Sequence, residues 1–337
     1  MKTLGTIFTW VIMLAVSIVA FLIDPIKAFA GHSAATSAPL PLIGLMIINQ
    51  ASLSSIYKSF NTIFSEAFAA TKVFWTRVAM QVPSKTKTEI YKWLGAFPKM
   101  REWIGDRVIQ NLSQFEMSVT NKPWELTIEV DREDIEDDTI GLYNPIVQMH
   151  GQSTAEQPDE AIFGLLPLGF TTECYDGQYF FDTDHPVGGG TVSNHGGGAG
   201  TPWYLLDVSR PIKPLILQNR KDAEFTALDN PADANVFMKK KFIYGSYRRN
   251  VAAYGLWQLA FGSKVTLDAA GYEAARVAMM SFKNDAGKPL NVTPNLLVVP
   301  PSLEGKARAL LMMQKDANGA DNPWYNTAEL LVVPWLA

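Results

Sequence analysis

The chain has 337 residues, 47% hydrophobic and 18% charged, which is enough apolar length for two or three folding units and too little charge for a disordered chain. A formal net charge of -4 argues against a dedicated nucleic-acid binder, whose electrostatic footprint is a basic face. The single cysteine, Cys174, cannot close an internal disulfide and is expected to be a small buried side chain.

In chain order, the first element is a leader. Met1-Lys2-Thr3 precedes an uncharged, mostly apolar run from Leu4 to Ile23, and Ala28-Phe29-Ala30 has the form of a cleavage site. That pattern reads as a secretory signal, or equally as a segment long enough to span a bilayer. Residues 31–45 are rich in Ala, Ser, Pro and Gly and read as a linker. Residues 1–45 are therefore set apart from the fold.

Domain-like patterning begins near Met46. Leu53, Ile56, Tyr57, Phe60, Ile63, Phe64, Ala67 and Phe68 recur at spacings of three and four, which predicts an amphipathic helix. Pro83 ends the segment after it. Thr86–Tyr91 and Trp124–Val130 both alternate apolar with polar residues, as strands do. Between them, Gly95, Pro98 and Gly105 break any long helix. The pattern predicts a long hairpin with a wide tip over residues 84–130, carrying Tyr91, Trp93, Phe97 and Trp103. A two-stranded hairpin is marginal alone and needs a surface to lie on. That surface is its own domain or, because aromatics are enriched at interface cores, a neighbouring subunit. Tyr91, Trp93, Phe97 and Trp103 are the candidate interface residues.

Asp131 is a good N-cap, and the acidic residues after it favour a helix start. A helical region is expected to Leu166, with breaks near Gly141, Pro145 and Pro158. Gly188–Gly190 and Gly196–Gly200 predict a flexible surface segment around Asn194-His195. In the last third, Asp268 is expected to cap a helix to about Phe282. Asn295–Val299 reads as a buried strand, Pro301-Ser302 opens a helix to about Met313, and Glu329–Val333 is a final strand. No repeat of fixed period occurs.

No catalytic, cofactor or metal site emerges. His195-Gly196-Gly197-Gly198 resembles a lipase oxyanion loop, but G-x-S-x-G is missing; the nearest stretch, Gly151-Gln152-Ser153-Thr154-Ala155, falls in an expected helix. Asp182, Asp184 and His185 could ligate a metal, yet no second His or Cys pair stands near, and Asp-rich turns are ordinary loop chemistry. Cys174 with His185 has no local signature of a thiol dyad. The acidic run from Asp131 to Asp138 lacks the Gly and the terminal Glu of an EF-hand, and neither GxxxxGK[ST] nor a GxGxxG after a strand occurs. Lys239–Lys241 with Arg248-Arg249 is expected to be a solvated strand face, with DNA contact as the sharper reading.

Longer in-order segments are more specific. They include Tyr91-Lys92-Trp93-Leu94-Gly95, Pro98-Lys99-Met100-Arg101-Glu102-Trp103-Ile104-Gly105, Asp137–Tyr143 and Gln157-Pro158-Asp159-Glu160. Then follow Cys174-Tyr175-Asp176-Gly177-Gln178, Phe180-Phe181-Asp182, His185-Pro186, Leu206–Arg210 with Lys213-Pro214, Gln218-Asn219-Arg220 and Gly255-Leu256-Trp257-Gln258. Through these the chain, from Met46 to Ala337, resembles the major head subunit of Mu-like phages and prophages, the gpT family.

The resemblance implies an α+β fold of the tailed-phage capsid (Hong Kong 97-like) type. Its parts would be an N-terminal arm at 46–83, an extended hairpin loop at 84–130, and a spine helix with peripheral domain at 131–170. A mainly axial domain would fill 171–337, with a Gly-rich surface loop at 188–200 and strands returning to the peripheral domain. It further implies a non-enzymatic subunit without cofactors or a small-molecule substrate. Its partners would be copies of itself in hexamers and pentamers, a scaffold or protease, portal and decoration proteins, and packaged DNA held non-specifically on the inner face. The product would be a virion shell assembled in the bacterial cytoplasm. Some relatives of the fold crosslink through a Lys and an Asn; no matching motif occurs here. The competing readings are an exported or membrane-tethered protein, which takes the leader literally, and a hydrolase using Cys174, His185 or His195.

The leader is foreign to that family, and Met46-Ile47-Ile48-Asn49 has the form of a subunit's start. A membrane anchor would also hinder equivalent packing in a closed shell. Intact-mass and N-terminal peptide measurements on assembled particles are expected to find a chain beginning at or near Met46. Peptides from Leu4–Ile23 in those particles would contradict this.

Overall fold

The computed structural model describes residues 48–92, 94, 115–137, 140–316 and 318–337. These belong to one compact unit, Met46–Ala337. The expectations for the leader, the linker and the hairpin tip, including Trp93, Phe97 and Trp103, lie outside the described residues.

Helix α1 (Gln50–Ala70) opens with a capping box: Asn49 Oδ1 accepts from the Ser52 amide at 2.9 Å while Ser52 Oγ accepts from the Asn49 amide at 3.0 Å. Leu53, Ile56, Phe60 and Phe64 of its apolar stripe are buried. A one-turn helix α2 (Trp75–Val78) leads into β1 (Ala79–Pro83). Strand β2 (Thr88–Tyr91) pairs antiparallel with β3 (Met117–Thr120), Thr88 opposite Thr120 and Tyr91 opposite Met117. The return strand of the hairpin is therefore not Trp124–Val130. Those residues lie in β4 (Lys122–Asp131), which pairs antiparallel with Lys241–Tyr254. Alternation along a chain identifies a strand but carries no information on a partner far away in sequence.

Asp131 precedes the short helix α3 (Arg132–Glu136), but its side chain makes no capping bond and ion-pairs with Lys241 instead. A 3-10 turn at Ile140–Tyr143 then leads into the long helix α4 (Asn144–Phe163) and the one-turn α5 (Leu165–Leu168). The breaks expected near Gly141 and Pro145 fall at the 3-10 turn and the new helix start, whereas the one expected at Pro158 does not occur. Pro145 stands in the first turn, where a missing N–H costs nothing, and the helix runs through Pro158.

The glycine-rich stretch lies at the surface as expected, exposed at 188–191 and 198–200, but it forms strands rather than an irregular loop. It holds β5 (His185–Val187), β6 (Gly190–Val192) and β7 (His195–Gly198). Asn194 is fully buried, and a Cβ on Gly196 would lie 2.5 Å from Ser263 Oγ, so this glycine serves close packing. The chain continues through β8 (Trp203–Leu206), β9 (Leu215–Leu228), α6 (Ala234–Lys239), β10 (Lys241–Tyr254) and β11 (Ala260–Lys264). It ends through α7 (Ala269–Met280), β12 (Leu296–Val299), α8 (Glu304–Met312) and β13 (Glu329–Val332). Asp268 caps α7 by accepting from the Gly271 amide at 2.8 Å. Pro301–Leu303 form a 3-10 turn before α8, and all four β12 side chains are buried.

Two principal sheets result. One is four-stranded in the order β1-β9-β10-β4; the other is five-stranded in the order β13-β12-β8-β11-β7. The fold is α+β with two apolar cores. The smaller joins α1, the start of α4 and the distal ends of β9 and β10, through Phe60, Phe64, Phe225, Phe242 and Tyr244. The larger surrounds the five-stranded sheet and includes Phe180, Phe181, Trp203, Tyr204 and Trp257.

Each of α5, α7 and α8 is followed by the same tight turn, closed by a bridge between Glu173 and Tyr179, Lys283 and Pro289, or Lys315 and Asp321. Gly177, Gly287 and Gly319 occupy its left-handed position, with φ of 83°, 74° and 82°.

Helices α1 and α4 cross at Gly151, where an added Cβ would lie 2.5 Å from the Phe64 carbonyl oxygen and 3.0 Å from Ala67 Cβ. Backbone cannot yield as a flexible side chain can. Gly151→Ala is expected to destabilise the subunit by about 1–3 kcal/mol, because the overpacked helices must separate. A urea titration monitored by circular dichroism checks this; an unchanged midpoint would show that the crossing has slack.

Candidate assembly site

The root of the hairpin is a buried polar network. Asn121 Nδ2 donates to Ser84 Oγ at 2.8 Å and to the carbonyls of Thr86 at 3.0 Å and Lys87 at 3.3 Å. Gln218 on β9 donates through Nε2 to Val119 O at 3.2 Å and to Asn121 Oδ1 at 2.9 Å. The carbonyl acceptors fix the orientation of both amides. Gln218 Oε1 is then left to accept from the Tyr91 hydroxyl, at 2.7 Å. Burial, followed by the charge of Glu89, pushes the Tyr91 pKa up to about 12. Glu89 Oε1 accepts from the amides of Lys85 at 2.7 Å and Thr86 at 2.9 Å and from Ser84 Oγ at 3.0 Å. The Thr86 amide first, then Lys85 and Ser84, hold the Glu89 pKa down to about 2. This network corrects one expected interface residue. Tyr91 is 4% exposed and belongs to the subunit's own core, tied to Gln218.

The second cluster gathers Cys174, Asp176 and His185, whose donor atoms lie within 4.8 Å of one another. Cys174 Sγ donates to Asp176 Oδ1 at 3.1 Å, and Asp176 Oδ2 lies 2.8 Å from His185 Nδ1. His185 Nε2 lies 3.1 Å from Asn194 Oδ1. Because Asn194 Nδ2 donates to the carbonyls of Phe180 at 2.8 Å and Ala260 at 3.2 Å, its oxygen is an acceptor and His185 Nε2 carries a proton. The imidazole stacks on Trp257 with centroids 3.9 Å apart and planes at 11°. Burial and the adjacent carboxylate push the Cys174 thiol far above its usual pKa. A nucleophilic thiol needs a neighbour that favours the thiolate, and the group this one bonds is a carboxylate, whose negative charge opposes it. The spacings are those of hydrogen bonds, and each link ties one segment of the loop-rich stretch 174–195 to another.

The other candidates disperse. Asp182 accepts from the amides of Tyr179 at 3.0 Å and Thr183 at 2.7 Å, Asp184 is exposed, and neither belongs to the cluster around His185. His195 packs its ring on Phe170, centroids 5.1 Å apart. The basic run is not one solvated face: Lys240 pairs with Glu133, Lys241 with Asp131, and Arg248 is buried. Sequence reasoning quoted Gln218-Asn219-Arg220, Asp207 and Asp159 only as pattern and missed their roles. Buried Asp207 accepts from the amides of Ser209 and Thr293, both at 3.0 Å, and from Arg210 Nε at 3.2 Å. Asp159 on α4 accepts from the amides of Phe74 at 3.0 Å and Trp75 at 2.6 Å at the start of α2.

Outside these ties, large apolar side chains face solvent. Leu142 in the 3-10 turn and Ile146 and Met149 at the start of α4 follow one another, and Phe237 and Met238 stand on α6, all 45–79% exposed. Among the described residues no helix is long and apolar enough to cross a membrane.

A spine helix laid across a long-stranded sheet, a hairpin rooted at its edge and apolar rows left outside define a subunit built for packing against others. The fold matches that of the tailed-phage head subunit: the chain aligns to the subunit in the procapsid of bacteriophage JBD30 with a TM-score of 0.77 and 42% identity, over 86% of this chain and all of that one. In the JBD30 capsid the TM-score is 0.71 at 34% identity, over the same shares. The chain belongs to the family of the Mu-like prophage major head subunit gpT, whose model matches residues 53–336. It is 39% identical to the major capsid protein of Escherichia phage Mu, over 86% of this chain and 100% of the relative. It is 38% identical to the Mu-like prophage FluMu major head subunit of Haemophilus influenzae, over 83% and 96%. Nothing in these comparisons supports the membrane-tethered reading.

Acid should act through Asp176. Burial raises its pKa, but the hydrogen bonds from His185 and Cys174 and the charge of His185 outweigh burial and hold it below the ordinary 3.8. Its folded pKa is depressed, so its stabilisation is fully present above 3.8 and is lost as pH falls through the lower folded value. Asp176→Asn is expected to cost about 1–3 kcal/mol at neutral pH, by removing the buried carboxylate that Cys174 and His185 hydrogen-bond, and to flatten this acid limb. Urea midpoints measured from neutral pH down to strong acid check it; a parallel pH profile in the mutant would remove Asp176 from the account.

Proposed function

We propose that the chain is the repeating subunit of an icosahedral phage head, its copies joining as hexamers and pentamers into the shell that encloses DNA. The observation that carries this reading is the apolar surface on an otherwise well-packed subunit: Leu142, Ile146 and Met149 beside α4, and Phe237 and Met238 on α6. Contiguous exposed apolar residues mark interaction surfaces, and a shell repeats each contact many times. The subunit acts by packing rather than catalysis; the thiol facing the Asp176 carboxylate supports that assignment. Its further partners are a scaffold or protease, the portal, decoration proteins and non-specifically held DNA, with assembly in the host cytoplasm. Trp93, Phe97 and Trp103 are assigned to the intersubunit contact, and Tyr91 is not.

Purified protein viewed by electron microscopy is expected to show shells or capsomer rings; monodisperse small particles would overturn the reading. Trp93→Ala combined with Trp103→Ala is expected to leave the circular dichroism spectrum unchanged and to abolish assembly in sedimentation, since interface aromatics cost about 2 kcal/mol or more each when truncated. Normal shells from the folded double mutant would return both residues to the subunit's own packing.

A further inference from the structure

Arg248 is a buried cation that the charge of Asp222 favours only from beyond ion-pair distance. It is 8% exposed and, among the described residues, forms no ion pair. It stands on β10 where pairing with β9 becomes irregular: Tyr247 faces Glu224 and Arg249 faces Lys221. On the other side it is opposite Trp124 of β4. Its side chain reaches α4, where Nη1 donates to the Thr154 carbonyl at 3.1 Å. That carbonyl is available because Pro158, four residues on, has no N–H to offer it. Arg248 Nε is buried without a partner. A buried guanidinium with one hydrogen bond and no direct ion pair is an incomplete arrangement, because charge removed from water needs pairing.

Beside Arg248 opens a cleft of about 180 Å³ walled by Trp124, Leu126 and Gln157 and bordered by Glu125 and Glu160. We propose that, in the shell, a carboxylate side chain from a second copy of this chain enters this cleft and pairs with Arg248. The inference rests on the shell-subunit reading and names a contact within it. The planar guanidinium fork matches a carboxylate's two oxygens. Trp124 and Leu126, each 37% exposed, give the entering side chain an apolar rim. Strand β4 is an edge of its sheet, and its residues from Lys122 to Thr127 are exposed, so the approach is open.

The test is a cryo-electron microscopy map of shells assembled from the full chain, together with the assembly threshold of Arg248→Lys. The map is expected to show a neighbouring subunit's carboxylate within about 4 Å of the Arg248 guanidinium. Lysine keeps the charge and a donor for Thr154 but loses the fork. The variant is expected to keep the wild-type circular dichroism and melting of the unassembled subunit, and to need about tenfold more protein to assemble. An empty cleft, a DNA phosphate in it, or Glu125 or Glu160 of the same chain turned onto Arg248 would overturn the inference, as would an unchanged threshold. Wild-type protein that forms no shells at all would overturn the shell-subunit reading and this inference with it, so the two failures are told apart.

Discussion

Two fourteen-residue strands, β9 and β10, run side by side through both apolar cores, and helix α4 lies across them. Most of the remaining structure is positioned by this crossing. Along β10 the side chains facing α4 change character. Phe242 and Tyr244 fill the smaller core, and Tyr254 belongs to the larger one. Between them Ser246, Arg248 and Asn250 meet His150, Thr154 and Gln157 in a polar belt. Two cores exist because this belt interrupts the apolar contact. The belt also fixes the register of helix on sheet, since a slide by one turn would break the hydrogen bonds that these buried groups do make.

The same strand pair places the hairpin. Gln218 lies on β9 next to β1, and its amide bridges the two hairpin strands through Val119 and Tyr91. The hairpin's root is thus joined by hydrogen bonds to a central strand of the sheet rather than resting on an apolar face. Directional bonds set an angle, whereas apolar contact permits sliding. For a subunit that must meet its neighbours in repeated geometry, the direction in which the hairpin leaves the body matters more than the energy of its root.

Local signals were legible where a single element carried them. The stripe from Leu53 to Phe64, the Asp268 cap and the apolar run at Leu296–Val299 each specify their own conformation, and all three appear as expected. The failures share a cause, which is dependence on a distant partner. Trp124–Val130 alternates correctly as a strand, but pairing with β10 rather than β2 is decided by residues more than a hundred positions away. Pro158 reads as a helix break until Arg248 arrives to satisfy the Thr154 carbonyl. Glycines at 196–198 read as flexibility until Ser263 and Phe261 are seen packed against Gly196. Of the site, the burial of Cys174 could be foreseen, but the Asp176 bridge to His185 depends on the turn closed by Glu173 and Tyr179.

The motifs that carried the family resemblance turn out to share a physical role. Gln218 binds the hairpin, Asp207 gathers the amides of Ser209 and Thr293, and Lys213 donates to the carbonyls of Thr76 and Arg77. His185 and Trp257 stack across a buried seam, and Asp159 holds the start of α2. Each is a polar or aromatic side chain whose partner is often the main chain of another segment. Such residues transmit shape, and a main-chain partner offers no second side chain that could change to suit. A search for catalytic constellations passes over most of them, because their partners are main-chain groups of distant segments. A chain whose distinctive residues are spent on fixing segment against segment is suited to a task in which geometry itself is the product.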